Sequence, residues 1–129
     1  MKKNPVLLVE DDFNLAETIK DILETANLPS IYIHSDDIDM INDITIDPST
    51  VIIDFYHHAE IYADIMYVLK RKYKNARFIL LTGKGYLSEE ILKEISDDLG
   101  VDQVIKKPFS TDSFLEKIIN ISQPVVIER

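Results

Sequence analysis

Apolar runs alternate with amphipathic helical patterns from one end of this chain to the other, and that alternation leaves few folds open. Residues 5–10, 30–34, 50–54, 78–82 and 102–106 read as strands. The stretches 13–26, 36–46, 60–74, 87–98 and 111–121 carry apolar residues at helical spacing. In the first of these Leu15, Ile19, Ile22, Leu23 and Ala26 form one stripe; in the third Ile61, Ile65, Val68, Leu69 and Tyr73 do. The second, 36–46, is the weakest helix and ends at Pro48. Asp12 or Asn14 caps the first helix, Asn14 with Glu17 as a capping-box variant, and Asn27-Leu28-Pro29 stops it. Asn75 is expected in the left-handed position after the third helix. Ser88, followed by Glu89 and Glu90, is expected to cap the fourth, and Gly100 to stop it.

Five βα units predict a parallel sheet with right-handed crossovers and helices on both faces. The first, third and fourth strands are unbroken apolar runs, as strands covered on both sides are; the second alternates and the fifth is short, as edge strands can be. The expected order is 2-1-3-4-5, a flavodoxin-like (βα)5 three-layer sandwich. A length of 129 residues suits one domain, here 1–122, with 123–129 as a tail or the start of a linker. A net charge of -9 argues against direct binding to nucleic acid or acidic membranes and leaves protein partners and divalent cations. With no cysteine, disulfides, thiol nucleophiles and zinc-cysteine sites are excluded, which suits a cytoplasmic protein. The sequence shows neither a signal peptide nor a membrane-length apolar stretch.

Acidic groups stand where apolar strands end: Glu10 and Asp11 after Val6-Leu7-Leu8-Val9, and Asp54 after Val51-Ile52-Ile53. In the expected topology these strands are neighbours, and ligands of such sheets bind beyond their carboxyl ends. Like charges 4 Å apart repel by roughly 4 kcal/mol at an effective dielectric of 20. A cluster of this kind calls for a bound cation or a functional reason. Thr82 closes the fourth strand, and Lys107 follows the fifth. Three carboxylates suit a hard cation; magnesium takes oxygen ligands and accepts one or two carboxylates beside phosphate oxygens. One carboxylate is then free to attack phosphorus, with Lys107 and Thr82 placed to balance charge.

The four segments Val9-Glu10-Asp11-Asp12, Ile53-Asp54, Leu81-Thr82-Gly83 and Lys107-Pro108-Phe109 together resemble the receiver domain of two-component response regulators, over residues 4–121. The resemblance implies that Asp54 is the phosphoacceptor, taking a phosphoryl group from a histidine kinase or phosphotransfer protein in a phosphorelay. It implies that Asp11 binds Mg2+ (or Mn2+) directly, with Glu10 beside it, Asp54 sharing the ion and the backbone carbonyl of Tyr56 adding a ligand. Thr82 becomes the switch hydroxyl, Lys107 the lysine that pairs with the phosphoryl group, and Lys107-Pro108 a cis peptide. It further implies a downstream protein or output domain, and a homodimer through 87–121 as one mode of assembly. Catalysis is confined to self-phosphotransfer and autodephosphorylation.

The chain departs from the pattern at several points. His58 and Tyr62 stand where receivers commonly carry proline and glycine, so the loop 55–60 is expected to run differently. Val104 takes the place of the switch aromatic, and Gly83 that of a common alanine. The altered loop and the absent aromatic support the alternative of a phosphorylation-independent pseudo-receiver that acts as a protein interaction module; the intact acidic and lysine positions oppose it. A phosphohydrolase of the haloacid-dehalogenase type lacks its second acid, since Tyr56 holds that place. His57 and His58 read as loop residues, and Phe109 as core packing. In the family, the residues two beyond the phosphoacceptor and two beyond the switch hydroxyl, here Tyr56 and Lys84, tune phosphoryl lifetime. A bulky Tyr56 shields the acyl phosphate from water. Tyr56→Asn is therefore expected to shorten the phosphoryl half-life, and equal half-lives for parent and variant would end this idea.

Overall fold

The computed structural model describes residues 4–55, 59–83 and 89–122. Ser88, Tyr56, His57, His58, Lys84 and the tail 123–129 lie outside them. The strands are β1 (Val6–Glu10), β2 (Ser30–His34), β3 (Thr50–Phe55), β4 (Arg77–Thr82) and β5 (Gln103–Lys106). The helices are α1 (Phe13–Thr25), α2 (Ala59–Lys72), α3 (Glu89–Leu99) and α4 (Thr111–Ser122), with a 3-10 segment at Ser35–Asp43. The sheet runs β2-β1-β3-β4-β5, and every pair is parallel. This is the expected flavodoxin-like winding.

Strand alternation divides the apolar side chains between two cores. Leu7, Val9, Val51, Ile53, Phe78 and Leu80 point to one side, where Ile65, Met66, Leu69 and Tyr73 of α2 and Ile41 of the 3-10 segment cover them. Val6, Leu8, Ile52, Ile79, Leu81 and Ile105 point to the other, against Ala16, Ile19 and Leu23 of α1 and Phe114 and Ile118 of α4. Phe109 joins this second core and stacks on Phe114, ring centroids 4.8 Å apart. The three central strands are buried along their apolar runs, which is why those runs lack polar alternation.

Three local expectations need correction. The segment 36–46 is not an α-helix. It forms the 3-10 segment, kinked at Asp37 (φ -102°, ψ 22°) and capped by His34 Nδ1, which accepts from the Asp36 N–H at 3.0 Å. Asp36, Asp37, Asp39 and Asp43 are poor helix formers whose side chains compete for backbone donors, and tighter 3-10 turns result. Among the described residues the left-handed residue outside glycine is Asn27 (φ 58°), not Asn75. Val68 is exposed, and Met66 takes the inward place on α2. Of the two candidates for the cap of α1 it is Asp12 that fills the place, as expected of one of them, its Oδ1 accepting from Asn14 and Leu15 N–H at 2.9 and 3.2 Å.

Gly100 ends α3 with φ 67°, as expected of a stop glycine, and its carbonyl accepts from Lys70 Nζ at 3.0 Å. A Cβ at this position would stand 2.9 Å from that nitrogen. Left-handed backbone costs an L-residue about 1–2 kcal/mol. Gly100→Ala is expected to lower the free energy of unfolding by about that amount, as a shift of the urea midpoint at constant slope.

Candidate functional site

The register of the central strands brings the acidic groups together. Val9 pairs with Ile53, so Glu10 and Asp54 come next at the same level on adjacent strands. Alternation turns both toward the α1–α4 side, the side of Leu8 and Ile52. Both are fully buried. Asp11, on the turn into α1, is half-buried. At the next two strands Phe55 pairs with Thr82 and Thr82 with Lys106, which puts Lys107 just past the sheet edge. Thr82 is 2% exposed, and its carbonyl accepts from the Lys107 N–H at 2.7 Å. The Lys107-Pro108 peptide is cis, as expected.

Lys107 Nζ donates to Asp54 Oδ2 in a tight ion pair. Glu10 Oε1 accepts from the Asp12 N–H at 3.0 Å. Of the other oxygens, Glu10 Oε2, Asp11 Oδ1 and Asp54 Oδ1 are buried without a hydrogen-bond partner. Unpaired buried carboxylate oxygens are costly, and three at one sheet edge make a donor set fit for a hard cation. Among the described residues no three acidic, imidazole or thiolate groups already stand in a coordinating arrangement. A bound ion would have to draw these oxygens together.

Burial raises Glu10 first, and the Asp54 and Asp11 carboxylates add to it, pushing its pKa from 4.5 to about 10; the Asp12 N–H pulls the other way. Ionised carboxylates have no hydrogen to share. A proton on Glu10 supplies one to its neighbours.

One neighbour of the site was not legible in the sequence. Tyr32, on edge strand β2, donates its hydroxyl to the Glu10 backbone carbonyl at 2.9 Å. Burial raises its pKa, and the charges of Glu10, Asp11, Asp12 and Asp37 raise it further. Its ring lies 6.3 Å from that of Phe13, which is 60% exposed at the start of α1. The sequence signal was only a tyrosine at alternating spacing between Ile31 and Ile33. Tyr56, expected to lend its carbonyl, lies outside the described residues.

The sign of the pH dependence follows from Glu10. Its native pKa exceeds the unfolded one, so between 4.5 and about 10 the native state holds a proton that the unfolded chain has lost. This contribution to stability is complete below 4.5 and fades as pH rises through that window. Without divalent ions, melting temperature is expected to fall more steeply with pH in the parent than in Glu10→Gln. Parallel profiles would assign the titration elsewhere.

No family model matches the sequence, and no curated protein matches it. Solved structures do. A response regulator from Thermotoga maritima aligns with TM-score 0.77 and 18% identity, over 94% of this chain and 98% of that one. The non-phosphorylated HemR receiver domain from Leptospira biflexa aligns with TM-score 0.75 and 25% identity, over 98% and 100%. A Francisella response regulator receiver domain aligns with TM-score 0.73 and 22% identity, over 93% and 97%. The chain has the fold of response-regulator receiver domains, across nearly its whole length.

Proposed function

We propose that this chain is a phosphorylation-dependent signalling switch in a two-component system. The observation that carries the reading is Asp54: fully buried, one oxygen held by Lys107 and the other without a partner, beside Glu10 and Asp11. A buried aspartate that serves only the fold usually has both oxygens satisfied. Asp54 Oδ1 is the nucleophile. It attacks the phosphorus of a phosphohistidine; the new P–O bond forms as the P–N bond breaks, and the imidazole leaves with that electron pair. Lys107 is then placed to pair with a phosphoryl oxygen, and the Thr82 hydroxyl, at the adjacent strand end, to donate to another.

Glu10, Asp11 and Asp54, with the Tyr56 carbonyl, would hold Mg2+ (or Mn2+), which when bound offsets negative charge on the transferring group. The kinase or phosphotransfer protein supplies the phosphoryl group, and we place the protein in the cytoplasm with it. Among the described residues no helix is long and apolar enough to cross a membrane.

The output is read on the face of α3, β5 and α4, within 87–121. A cavity of about 500 Å3 lies there, lined in part by Lys93, Val104, Phe109, Ser113 and Lys117. Val104 is too small to swing behind Thr82, so the shift is carried by α3 or by Lys107 itself. Lys107 is tied to Thr82 through its backbone and to Asp54 through its side chain. Phosphorylation of Asp54 trades the second tie for one to the phosphoryl group. A downstream protein or output domain docks on the shifted face.

Incubation with acetyl phosphate and Mg2+ is expected to add the mass of one phosphoryl group, lost in Asp54→Asn. Lys107→Ala is expected to slow the gain on the order of a hundredfold, and Mg2+ alone to raise the melting temperature of the parent. No mass gain would instead support the phosphorylation-independent interaction module.

A further inference from the structure

Of the three carboxylates at the sheet edge, Asp11 alone is not on a strand. Glu10 and Asp54 belong to β1 and β3 and are held in register by the ladder, whereas Asp11 stands on the turn between β1 and α1. Its Oδ1 is buried without a hydrogen-bond partner, so the backbone of that turn sets where this oxygen lies. The turn is tethered on both sides of Asp11. After it, the Asp12 N–H donates to Glu10 Oε1 at 3.0 Å, and Asp12 Oδ1 caps α1. Before it, the Glu10 carbonyl accepts from the Tyr32 hydroxyl at 2.9 Å, a tether that comes from another strand. Tyr32 also meets the residue that follows the turn. Its ring centroid is 6.3 Å from that of Phe13, within the range of aromatic pairs. One side chain thus brackets Asp11 and Asp12, with its hydroxyl on one side and its ring on the other.

The register shows why the bracket is a tyrosine. β2 runs parallel to β1 with Tyr32 level with Leu8 and His34 level with Glu10. Tyr32 packs on the same core as Leu8, and its hydroxyl reaches along the sheet to a carbonyl two residues further on. Serine or threonine at this register is too short to do so. His34 stands at the right level, but its Nδ1 is engaged by the Asp36 N–H. Phenylalanine fills the same space and leaves the carbonyl without this donor. Burial raises the Tyr32 pKa, and the charges of Glu10, Asp11, Asp12 and Asp37 raise it further, so the hydroxyl keeps its proton beside the acidic cluster.

We infer that Tyr32 is a positioning residue for the divalent-cation site: by holding the Glu10 carbonyl it fixes the peptide that carries Asp11 and so sets the Asp11 carboxylate against those of Glu10 and Asp54. The inference deepens the proposed switch and rests on its metal site. Tyr32 supplies no ligand, since its hydroxyl is committed to the backbone. Hydrogen bonds behind a metal ligand typically change metal affinity by roughly ten- to a hundredfold when lost. The bracket acts where the site is least restrained, at the one carboxylate that no ladder holds.

Tyr32→Phe tests the inference, since it keeps the ring and removes only the hydroxyl. Melting temperature of the full chain is followed against Mg2+ concentration at one pH, without phosphoryl donor. A ligand that binds only the native state raises it from about its Kd upward. In Tyr32→Phe the rise is expected to begin at about tenfold higher Mg2+ than in the parent. Phosphoryl uptake from acetyl phosphate is expected to follow, with the half-saturating Mg2+ raised by a similar factor and the rate at saturating Mg2+ close to the parent's. A role in the fold alone lowers melting equally at every Mg2+ concentration and leaves the onset of the rise unmoved; that result overturns the inference. So does a rate of uptake that stays low at saturating Mg2+ while the melting titration matches the parent's. A parent whose melting ignores Mg2+ sinks the inference together with the metal site. A parent that binds Mg2+ and takes up no phosphoryl group sinks the switch, and a displaced titration in Tyr32→Phe then still supports the positioning role.

Discussion

The structure turns on one ion pair at the edge of the sheet, between Lys107 and Asp54. Asp54 is fully buried and Glu10 beside it is too, so a single lysine faces two carboxyl groups with a third, Asp11, near. Removing one partner of a buried pair typically costs about 3–5 kcal/mol, because the other charge is left without compensation. The remaining imbalance is met in the fold by a proton on Glu10, raised by burial and by its acidic neighbours. Proton, lysine and any bound cation therefore compete to balance the same small volume. Whatever balances it best stabilises the native state by mass action. A site of this kind responds to ligands because its folded form is under-compensated without them.

The remainder of the sheet makes that arrangement tolerable. Two cores, one on each face, bury β1, β3 and β4 completely along their apolar residues. Large apolar burial, roughly 25 cal/mol for each Å2, offsets a local electrostatic cost of several kcal/mol. The parallel register does the positioning. Because Val9 pairs with Ile53 and Phe55 with Thr82, the acids, the backbone of Thr82 and the strand preceding Lys107 arrive at one edge without any long loop to guide them. A slip by one residue would turn Glu10 or Asp54 into the opposite core.

The legibility of these features in the sequence differed for physical reasons. The central strands were plain because strands covered on both faces have no polar alternation, and the acids that end them stood out for that reason. Their level pairing followed from topology. The segment after β2 was misread because Ile38, Ile41 and Ile44 keep a helical rhythm while Asp36, Asp37, Asp39 and Asp43 resist an α-helix, and periodicity alone weighs only the former. His34 as its cap has no ordinary sequence signal. Asn27 and Asn75 each follow a helix, and only the local hydrogen bonding decides which turns left-handed; the Asn27 N–H reaches the Glu24 carbonyl at 3.0 Å. Val68 fits the apolar stripe of α2 at its margin, and Met66, one helical face over, fits the core better. The link from Tyr32 to the Glu10 carbonyl needed the pairing of β1 with β2 to become visible.

In the proposed switch, the absence of an aromatic at Val104 moves the burden of signalling onto the backbone. β5 is four residues long and lies at the sheet edge, so little holds it beyond β4 on one side and α4 behind. Its exit is pinned at Thr82 by the Lys107 N–H and at Asp54 by the Lys107 side chain. Moving the lysine by even part of its length pulls on the residues that line the neighbouring cavity, among them Val104, Ile105 and Phe109. Phe109 is stacked on Phe114 of α4, so that pull is transmitted into a buried helix face rather than lost in a loop. A rotating aromatic reports on its hydroxyl neighbour by filling or emptying one space. A lysine tethered at both ends instead couples the charge at Asp54 to the position of a strand end, which needs no side chain to change its packing state.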